Sequence, residues 1–446
     1  MAPLRSCRRP GRDPRPRPGP ARAVARDAQG LRRLRGPGRR RQAAARLHHP
    51  AATDGERSRS AEGLHRRHGW GRRRPGLGRA RIPPLAAQGP AVSGGVHVLH
   101  GLKLSYFTGK LEAYLRVKGV PFRFVEMDTA DFRACARATG IAQMPQLETP
   151  DGGWLTDTTA IISRFEDAGA GPRLRPIAPA AAFISLLLED AFDEWLWRPA
   201  LYYRWAFVED ARLMSRQIAR TLLRDVPGPL WLRDLAIRAR QRREFLARDG
   251  VTRETAPAIE RLYGEVLSVL EPVLASRPFL LGPRPCEADF GLFGSMFRHF
   301  ASDPTPGALI RETAPAVLAW TARLWSIGPH DLSGAADIVE APADLDPLLA
   351  LVARDHLPEL TGHLNAVLAG QDVACFQACG VAWRVPASPY RAECLLALRR
   401  AFAALPDEAR SDVATRLGVG VKTLEGDLPS LPERRPGRPR NRHLRA

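Results

Sequence analysis

Residues 141–160 give the clearest indication of the fold, and they read Ile-Ala-Gln-Met-Pro-Gln-Leu-Glu-Thr-Pro-Asp-Gly-Gly-Trp-Leu-Thr-Asp-Thr-Thr-Ala. It predicts a strand entered through Met144-Pro145, a tight turn at residues 151–153, a second strand and a helix start. A cis peptide costs only ~0.5–1 kcal/mol before proline, and such a bond would turn the backbone of Met144 outward. An extended peptide could then pair with the N–H and C=O groups of Met144 as an added strand.

The helix start thirteen residues after Met144 offers a second set of binding groups. Asp157-Thr158-Thr159 precedes an apolar run at residues 160–162, so a hydroxyl and unpaired backbone donors lie at a helix N-terminus. Such a terminus favours carboxylates. Met-Pro at a strand edge is common, and Asp-Thr-Thr often acts only as a helix cap, but the order and spacing of the two motifs favour a ligand site.

A third motif lies upstream, where residues 104–110 read Leu-Ser-Tyr-Phe-Thr-Gly-Lys. Together with residues 141–160, this segment resembles the glutathione-binding half of the glutathione S-transferase family. The resemblance implies an α/β, thioredoxin-like N-terminal domain followed by the all-α, all-helical C-terminal domain of that family. It also implies that glutathione is the co-substrate. The residues that would hold it are Met144, Pro145, Asp157 and Thr158.

The resemblance also assigns a partner group to two of these side chains. The Asp157 carboxylate would meet the amino group of glutathione, and Thr158 would meet its α-carboxylate. Most relatives carry serine where this chain has Thr158. The departure is mild, because both side chains present a hydroxyl.

The catalytic question centres on Ser105, which the family motif aligns with the reactive position at the start of the first helix. The helix dipole and free N–H groups stabilise a thiolate there. Thr108 lies where redox members of the fold have a second cysteine, and two hydroxyls exclude dithiol chemistry. The Ser105 hydroxyl could donate to the glutathione sulfur and favour the thiolate. Tyr106, where several relatives have proline, is a second catalytic candidate, and the alternative is that Ser105 only caps the helix.

An aromatic stretch at residues 193–205 supplies the candidate electrophile pocket. By the resemblance, it lies in the first long helix of the second domain and faces the glutathione site. Large aromatic side chains with few polar groups are typical of a small-molecule pocket. We predict that the pocket for a small electrophilic substrate is lined by Tyr203, Arg204 and Trp205. The alternative is that this aromatic stretch is part of the core.

The segment at residues 277–290 resembles the signature of the family's helical domain. It reads Arg-Pro-Phe-Leu-Leu-Gly-Pro-Arg-Pro-Cys-Glu-Ala-Asp-Phe. In that signature a serine or threonine caps a buried helix, and an aspartate three residues later completes the capping box. This chain has Cys286 at the cap and Asp289 in the expected place. Cysteine caps poorly, so we expect the helix start to be less stable by ~1 kcal/mol.

Helix-breaking residues and the spacing of apolar residues divide the chain after residue 95 into four parts. The α/β domain is predicted over residues 96–170, with a Pro-containing linker at 171–178. A helical substrate domain follows at 179–325, and a helical C-terminal extension at 326–432. Residues 385–395 resemble an extension found in a bacterial subgroup of glutathione S-transferase-like proteins. The individual helices predicted after the linker span residues 182–203, 211–223, 230–247, 256–276, 288–300, 308–324, 345–369 and 390–405.

The net charge of +20 is concentrated in the first 95 residues. Residues 1–95 hold 24 Arg, no Lys and 5 acidic residues, whereas the rest of the chain holds 43 basic and 42 acidic residues. The segment is rich in Arg and Pro without apolar periodicity, which predicts disorder. A basic tail can bind nucleic acid or membranes, and an Arg-rich, acid-poor segment also resembles a transit peptide. The favoured interpretation is a start codon placed too far upstream.

The end of the chain, residues 433–446, is predicted to be a basic disordered tail. Residues 434–442 read Arg-Arg-Pro-Gly-Arg-Pro-Arg-Asn-Arg. This resembles a minor-groove hook peptide, because a narrow groove attracts inserted arginine. So short a basic tail often matches by chance, and nucleic acid is therefore not expected as a partner.

The six cysteines are scattered without the spacing of a small secreted disulfide framework, which favours a reducing cytoplasm. Cys375 and Cys379 are four residues apart and could form half of a metal site on a helix. No Cys/His pair with zinc-like spacing follows them, so no metal is expected. No run of about 18 apolar residues occurs, so no membrane span is predicted.

Two classes of function follow from these motifs. The first is a glutathione-dependent transferase, or related thiol chemistry, in which the glutathione thiolate attacks a small electrophile. The second is a non-catalytic interaction module of the same fold, like the metaxin-type branch, and it is favoured by the altered cap, by Tyr106 and by the long extension. The presence of Ser105, Pro145 and Asp157-Thr158 favours the transferase. The resemblance also allows a homodimer.

Overall fold

The computed structural model describes residues 95–432. The predictions for the segment before residue 95 and for residues 433–446 lie outside that range. Among the described residues, no helix is both long enough and apolar enough to cross a membrane.

The first domain has the alternation of strands and helices that the sequence predicts. Each of the first two helices ends at a glycine with positive φ, Gly119 and Gly140. The elements in chain order are β1 (His97–Gly101), α1 (Tyr106–Lys118), β2 (Phe122–Glu126), α2 (Thr129–Thr139), β3 (Gln146–Glu148), β4 (Trp154–Leu155) and α3 (Thr158–Asp167).

The four strands form one mixed sheet in the order β2-β1-β3-β4. β1 is parallel to β2 and antiparallel to β3, with His100 opposite Gln146. β4 is antiparallel to β3, with Leu155 opposite Leu147. The C-terminal end of β1, the N-terminal end of β3 and the C-terminal end of β4 therefore lie at the same edge of the sheet.

The second domain is entirely helical, as predicted. Its elements are α4 (Pro179–Glu194), α5 (Trp197–Ala206), α6 (Val208–Thr221), α7 (Leu230–Gln241) with a π-helical turn (Arg242–Leu246), α8 (Ala256–Ser276), α9 (Glu287–Ser295) with a π-helical turn (Met296–Phe300), α10 (Pro304–Thr313) and α11 (Pro315–Ser326). α9 is buried along its whole length and packs against both α1 and α4. Gly294 permits this approach, because a Cβ there would lie 2.9 Å from the Tyr106 ring.

Two helices that the sequence predicts as continuous are each divided by a proline. The helix expected over residues 182–203 ends at Glu194 and resumes as α5, because Pro199 has no N–H to bond a carbonyl one turn earlier. The helix expected over residues 308–324 is interrupted before Pro315 for the same reason. Apolar periodicity continues across both breaks, which is why it did not reveal them.

The extension contains a β-hairpin as well as the predicted helices. Its main elements are α12 (Asp346–Leu351), α13 (Leu357–Leu368), β5 (Val373–Ala378), β6 (Val381–Pro386), α14 (Pro389–Ala403), α15 (Asp407–Leu417) and α16 (Val421–Leu424). Cys379 and Gly380 join the strands with φ of 53° and 73°, values that fit a two-residue hairpin turn. The description of residues 326–432 as helical is therefore corrected. Cys375 and Cys379 lie on a strand and in its turn, not on one face of a helix.

The start of α9 shows how the chain compensates for the cysteine cap. Asp289 accepts the Cys286 backbone N–H at 3.0 Å, and it also accepts the Leu280 N–H and the Trp320 indole N–H, each at 3.0 Å. Ser185 on α4, which is fully buried, accepts the Ala288 N–H at 3.2 Å. A hydroxyl from another helix thus binds an amide of the first turn of α9.

Replacing Ser185 with Ala should lower the free energy of unfolding by ~1–3 kcal/mol, because a buried N–H loses its acceptor. The measurement is urea-induced unfolding, with Ser268→Ala as the control, since Ser268 is an exposed serine on α8. Equal stability of the two variants would show that Ser185 contributes nothing to the start of α9.

Candidate active site

Three segments that the sequence singled out meet at one edge of the sheet. Ser105 follows the C-terminal end of β1, and Met144 precedes β3, the antiparallel neighbour of β1. Asp157 follows β4, two residues beyond Leu155, whose partner across the sheet is Leu147. The strand register therefore places Ser105, Met144 and Asp157 side by side, because each lies in the loop next to the end of its strand.

Ser105 is the N-cap of α1 and is partly exposed. Its backbone is extended, and its Oγ accepts the Thr108 N–H at 3.5 Å, a long bond. The hydroxyl proton is then available for a further acceptor. Ser105 can cap α1 and also act in catalysis, because a serine hydroxyl can accept one hydrogen bond while it donates another.

Arg204 fixes the loop that carries Ser105. Its Nη1 donates to the Leu104 carbonyl at 2.9 Å, directly before Ser105. Its Nε and Nη2 form a two-point contact with Asp303 at 2.7 and 2.8 Å, and Arg204 is 3% exposed. The guanidinium therefore connects the second domain to the loop before α1. Sequence reasoning assigned Arg204 to a pocket and missed this role.

Tyr106 lies in the core. It is 1% exposed, and its hydroxyl donates to the Phe192 carbonyl. Burial raises the pKa of Tyr106 well above its ordinary value, and Asp193 adds to that effect. Trp197 and His299 pack around its ring. This placement removes Tyr106 as a candidate for the catalytic hydroxyl.

The backbone of Met144 is not used by the fold. The Met144–Pro145 peptide bond is cis, as the sequence predicted, and Pro145 is buried. The ladder between β1 and β3 begins at Gln146. The Gln146 side-chain amide donates to the carbonyls of Ile141 and Gln143 at 2.7 and 3.1 Å, which shapes the loop before it. Among residues 95–432, neither the N–H nor the C=O of Met144 has a hydrogen-bond partner.

Asp157 and Thr158 form the start of α3. Asp157 has a φ of 71°, unusual for a residue other than glycine, and its Oδ1 accepts the Thr159 N–H at 3.1 Å. Asp157 is exposed, whereas Thr158 is 7% exposed. The Thr158 hydroxyl has no hydrogen-bond partner in the described part of the chain. The Thr158 hydroxyl is thus left to face a ligand, and Asp157 Oδ2 has one long contact, with the Tyr390 hydroxyl at 3.5 Å.

A buried ionic cluster lies behind this edge of the sheet. Lys110 on α1 is fully buried and bonds both Glu189 and Asp193 on α4. Lys110 Nζ also donates to Thr159 Oγ1 at 3.1 Å, and Thr159 donates to Glu189 at 2.6 Å. Burial would lower the pKa of Lys110, but Asp193 and Glu189 raise it more, so the ammonium stays charged. The cluster holds α1, α3 and α4 together directly beneath the candidate site.

The three residues predicted to line an electrophile pocket are buried. Tyr203 is 3% exposed and stacks on Phe207, and Trp205 is 1% exposed. With Arg204 paired to Asp303, all three belong to the interior of the helical domain. The alternative given for this aromatic stretch, that it is part of the core, fits the structure better than an open pocket.

One group among the described residues has donor types suited to a metal ion. His100, Asp131 and Cys135 place their ligand atoms within 4.8 Å of one another. His100 Nδ1 pairs with Asp131 Oδ2 at 3.0 Å, which ties α2 to β1. Cys135 is 1% exposed, and burial raises the pKa of its thiol to about 12. The pairing accounts for the cluster as a helix-to-sheet contact, and the absence of a metal stays a prediction.

Other thiols are also held in the protonated form. Burial raises the pKa of Cys379 to about 12, and Asp355 adds to the effect. Burial raises the pKa of Cys286 and Cys394 well above the ordinary value, with Asp289 and Asp190 contributing.

Two family models match the two domains that form this arrangement. The model described as "Glutathione S-transferase, N-terminal domain" matches residues 99–173, and the one described as "Glutathione S-transferase, C-terminal domain" matches residues 245–327. The chain belongs to the glutathione S-transferase family. The first match contains Ser105, Met144 and Asp157, and membership of the glutathione S-transferases supports a glutathione-related transferase function in general.

Solved glutathione S-transferases resemble this chain over little more than half of its length. A glutathione S-transferase from Pseudomonas fluorescens Pf-5 is 20% identical, covers 53% of this chain and 97% of its own, and has a TM-score of 0.34. The β-etherase LigF from Sphingobium sp. strain SYK-6 is 21% identical, with coverages of 54% and 100% and a TM-score of 0.39. A glutathione S-transferase from Xanthobacter autotrophicus Py2 is 21% identical, with coverages of 55% and 97% and a TM-score of 0.30. No curated protein matches the sequence.

Proposed function

We propose that this protein is a glutathione-dependent transferase that stabilises the glutathione thiolate for attack on a small electrophile. The observation that carries the proposal is the set of unused polar groups at one edge of the sheet. These groups are the Met144 backbone N–H and C=O and the Thr158 hydroxyl. Together with the exposed carboxylate of Asp157, they lie next to the partly exposed hydroxyl of Ser105.

Each of these groups matches one part of a thiol tripeptide. The N–H and C=O of Met144 can pair with the extended peptide backbone. The Thr158 hydroxyl, at the N-terminus of α3, suits the α-carboxylate of the γ-glutamyl end. The Asp157 carboxylate suits the amino group of the same end. A peptide held in this way extends toward the start of α1, where Ser105 can donate to its sulfur.

The chemistry assigned to Ser105 is a hydrogen bond, not a proton transfer. Its O–H stabilises the charged sulfur, so more of the bound thiol ionises at neutral pH, and the thiol proton passes to water. With an activated aryl chloride as the electrophile, a carbon–sulfur bond forms and chloride leaves. Arg204 supports this step indirectly, because it holds the carbonyl before Ser105 in place.

Replacing Ser105 with Ala should lower kcat/KM for conjugation of glutathione to an activated aryl chloride by about 100-fold, as for loss of one donor to a developing anion. The pH profile of kcat/KM should also shift to higher pH, since the bound thiol becomes harder to ionise. Ser411→Ala, an exposed serine of α15, is the control and should keep full activity.

The full-length protein should also be retained on immobilised glutathione and released by free glutathione. Retention with wild-type turnover in Ser105→Ala would reject the role of Ser105 while keeping the glutathione site. Retention without any turnover in the wild type would leave the non-catalytic module. Failure of the wild type to bind glutathione would reject the proposal.

A further inference from the structure

The C-terminal extension reaches the candidate glutathione site through one side chain. Tyr390, in the first turn of α14, donates its hydroxyl to Asp157 Oδ2 at 3.5 Å. The two residues are 233 positions apart in the sequence. Asp157 Oδ1 accepts the Thr159 N–H at the start of α3, so Tyr390 contacts the other oxygen of the carboxylate.

The residues beside Tyr390 fix its position. Ser388 caps α14 by accepting the Arg391 N–H at 3.3 Å, and the Ser388 N–H donates to His363 Nδ1 at 3.1 Å. Arg391 Nε pairs with Glu194 Oε2 at the end of α4 at 3.0 Å. Arg391 is 8% exposed, so this contact is a buried joint between the extension and the helical domain. The first turn of α14 is therefore held from both sides.

The surroundings of the Tyr390 hydroxyl are acidic. Burial raises the pKa of Tyr390, and Cys394, Glu194, Asp157 and Asp193 add to that effect. The residue as a whole is 47% exposed, so a ligand can reach its side chain. An exposed tyrosine whose hydroxyl contacts a carboxylate suits a ligand that carries an ammonium group.

We propose that Tyr390 is a positioning residue of the glutathione site, supplied by the extension. Its hydroxyl holds Asp157 Oδ2 toward the ligand, and a carboxylate oxygen can accept the ligand's ammonium group at the same time. Its ring borders the γ-glutamyl end, so the site selects thiol peptides whose α-amino group is free. This inference rests on the proposed function, since it assigns Asp157 to glutathione binding.

The test measures, by calorimetry, the affinity of the full-length protein for S-methylglutathione, which has no reactive thiol. Tyr390→Phe keeps the ring and removes the hydroxyl. It should weaken binding by about 2- to 10-fold, the range for one hydrogen bond. In turnover the variant should raise KM for glutathione and leave kcat unchanged. Tyr202→Phe is the matched control, because Tyr202 also donates to a carboxylate, Glu260 at 2.5 Å, but lies on α5 inside the helical domain.

A second ligand separates positioning from general packing. N-acetyl-S-methylglutathione has no ammonium group, so it should bind wild type and Tyr390→Phe with the same, weaker affinity. Equal affinity of wild type and Tyr390→Phe for S-methylglutathione would overturn the role of Tyr390 and leave the proposed function intact. Tighter binding by the variant would also overturn it, because Tyr390 would then obstruct the site. No binding by the wild type would reject both proposals.

Discussion

Replacing Lys110 with Met should lower the free energy of unfolding by ~3–5 kcal/mol, because two buried carboxylates lose the ammonium they share. Lys110 is fully buried, and Glu189 and Asp193 are 2% and 7% exposed. Met preserves the length of the apolar stem, so the loss reports charge and hydrogen bonding more than packing. The measurement is urea-induced unfolding, with Lys422→Met as the control at an exposed lysine.

The pH dependence of the Lys110→Met variant gives a sharper readout. Burial already raises the pKa of Asp193 above its ordinary value of 3.8, and removal of the ammonium will raise it further. A carboxyl with a higher pKa in the folded state stabilises the fold below its unfolded pKa and loses that contribution as the pH rises through the folded value. The deficit of the variant should therefore shrink as the pH is lowered from 7 toward 4. A deficit below ~1 kcal/mol at pH 7 would show that the cluster is not a net support of the fold.

Replacing Glu359 with Gln should also cost ~3–5 kcal/mol, because two buried guanidinium groups lose their carboxylate. Glu359 on α13 is 1% exposed and accepts Arg198 at two points, 2.7 and 2.9 Å, and Arg391 at 3.0 Å. These two ion pairs join α13 to α5 and to the first turn of α14. Glu393→Gln is the control, because Glu393 pairs with Arg400 on an exposed face.

The pH profile separates Glu359 from its neighbour His363. Burial alone would raise the pKa of Glu359, but Arg198 and Arg391 lower it to about 2. Its stabilisation is therefore present above pH 4.5 and is lost as the pH falls toward 2. Burial and Arg391 lower the pKa of His363 to about 4, so its contribution is present above pH 6.5 and is lost as the pH falls through 4.

Unfolding of wild type and Glu359→Gln is compared at several pH values between 7 and 3. The variant should lose less stability than wild type below pH 4.5, while both should lose the His363 contribution between pH 6.5 and 4. Parallel curves over the whole range would contradict the assignment of the lower step to Glu359.

The parts of the fold that follow from local chemistry could be predicted from the sequence. Met144-Pro145 before a strand and Asp157-Thr158 before an apolar run each specify a turn or a cap through residues next to them in the chain. The signature around Asp289 is likewise local. These features place the candidate site at one edge of the sheet, and the structure confirms that their elements exist in the predicted order.

The roles of Tyr106, Lys110 and Arg204 depended on distant residues and could not be read in advance. Tyr106 is buried because Gly294, far along the chain, lets α9 approach α1. Lys110 meets two acidic residues about 80 positions later, and Arg204 meets Asp303 after 99. A charged residue in an amphipathic helix has the same local pattern whether it is solvated or paired, so sequence spacing does not distinguish the two.

The hairpin of the extension was missed for a different reason. β5 and β6 alternate in burial along each strand, a period-two pattern that short runs of Ala, Val and Cys do not make obvious. The turn between them has cysteine where asparagine or aspartate is usual. The contact of Tyr390 with Asp157 depends on the docking of this whole extension, which no local motif encodes.

The protonated state of four cysteine thiols affects how readily the proposed transferase would be alkylated by its own electrophilic substrates. A small electrophile alkylates thiolates far faster than thiols. Cys135 and Cys379, with pKa values of about 12, would be almost entirely in the slow form at neutral pH, and burial raises the pKa of Cys286 and Cys394 in the same direction. Reactive compounds delivered to the bound tripeptide would then be consumed by it, and these four side chains would escape covalent damage.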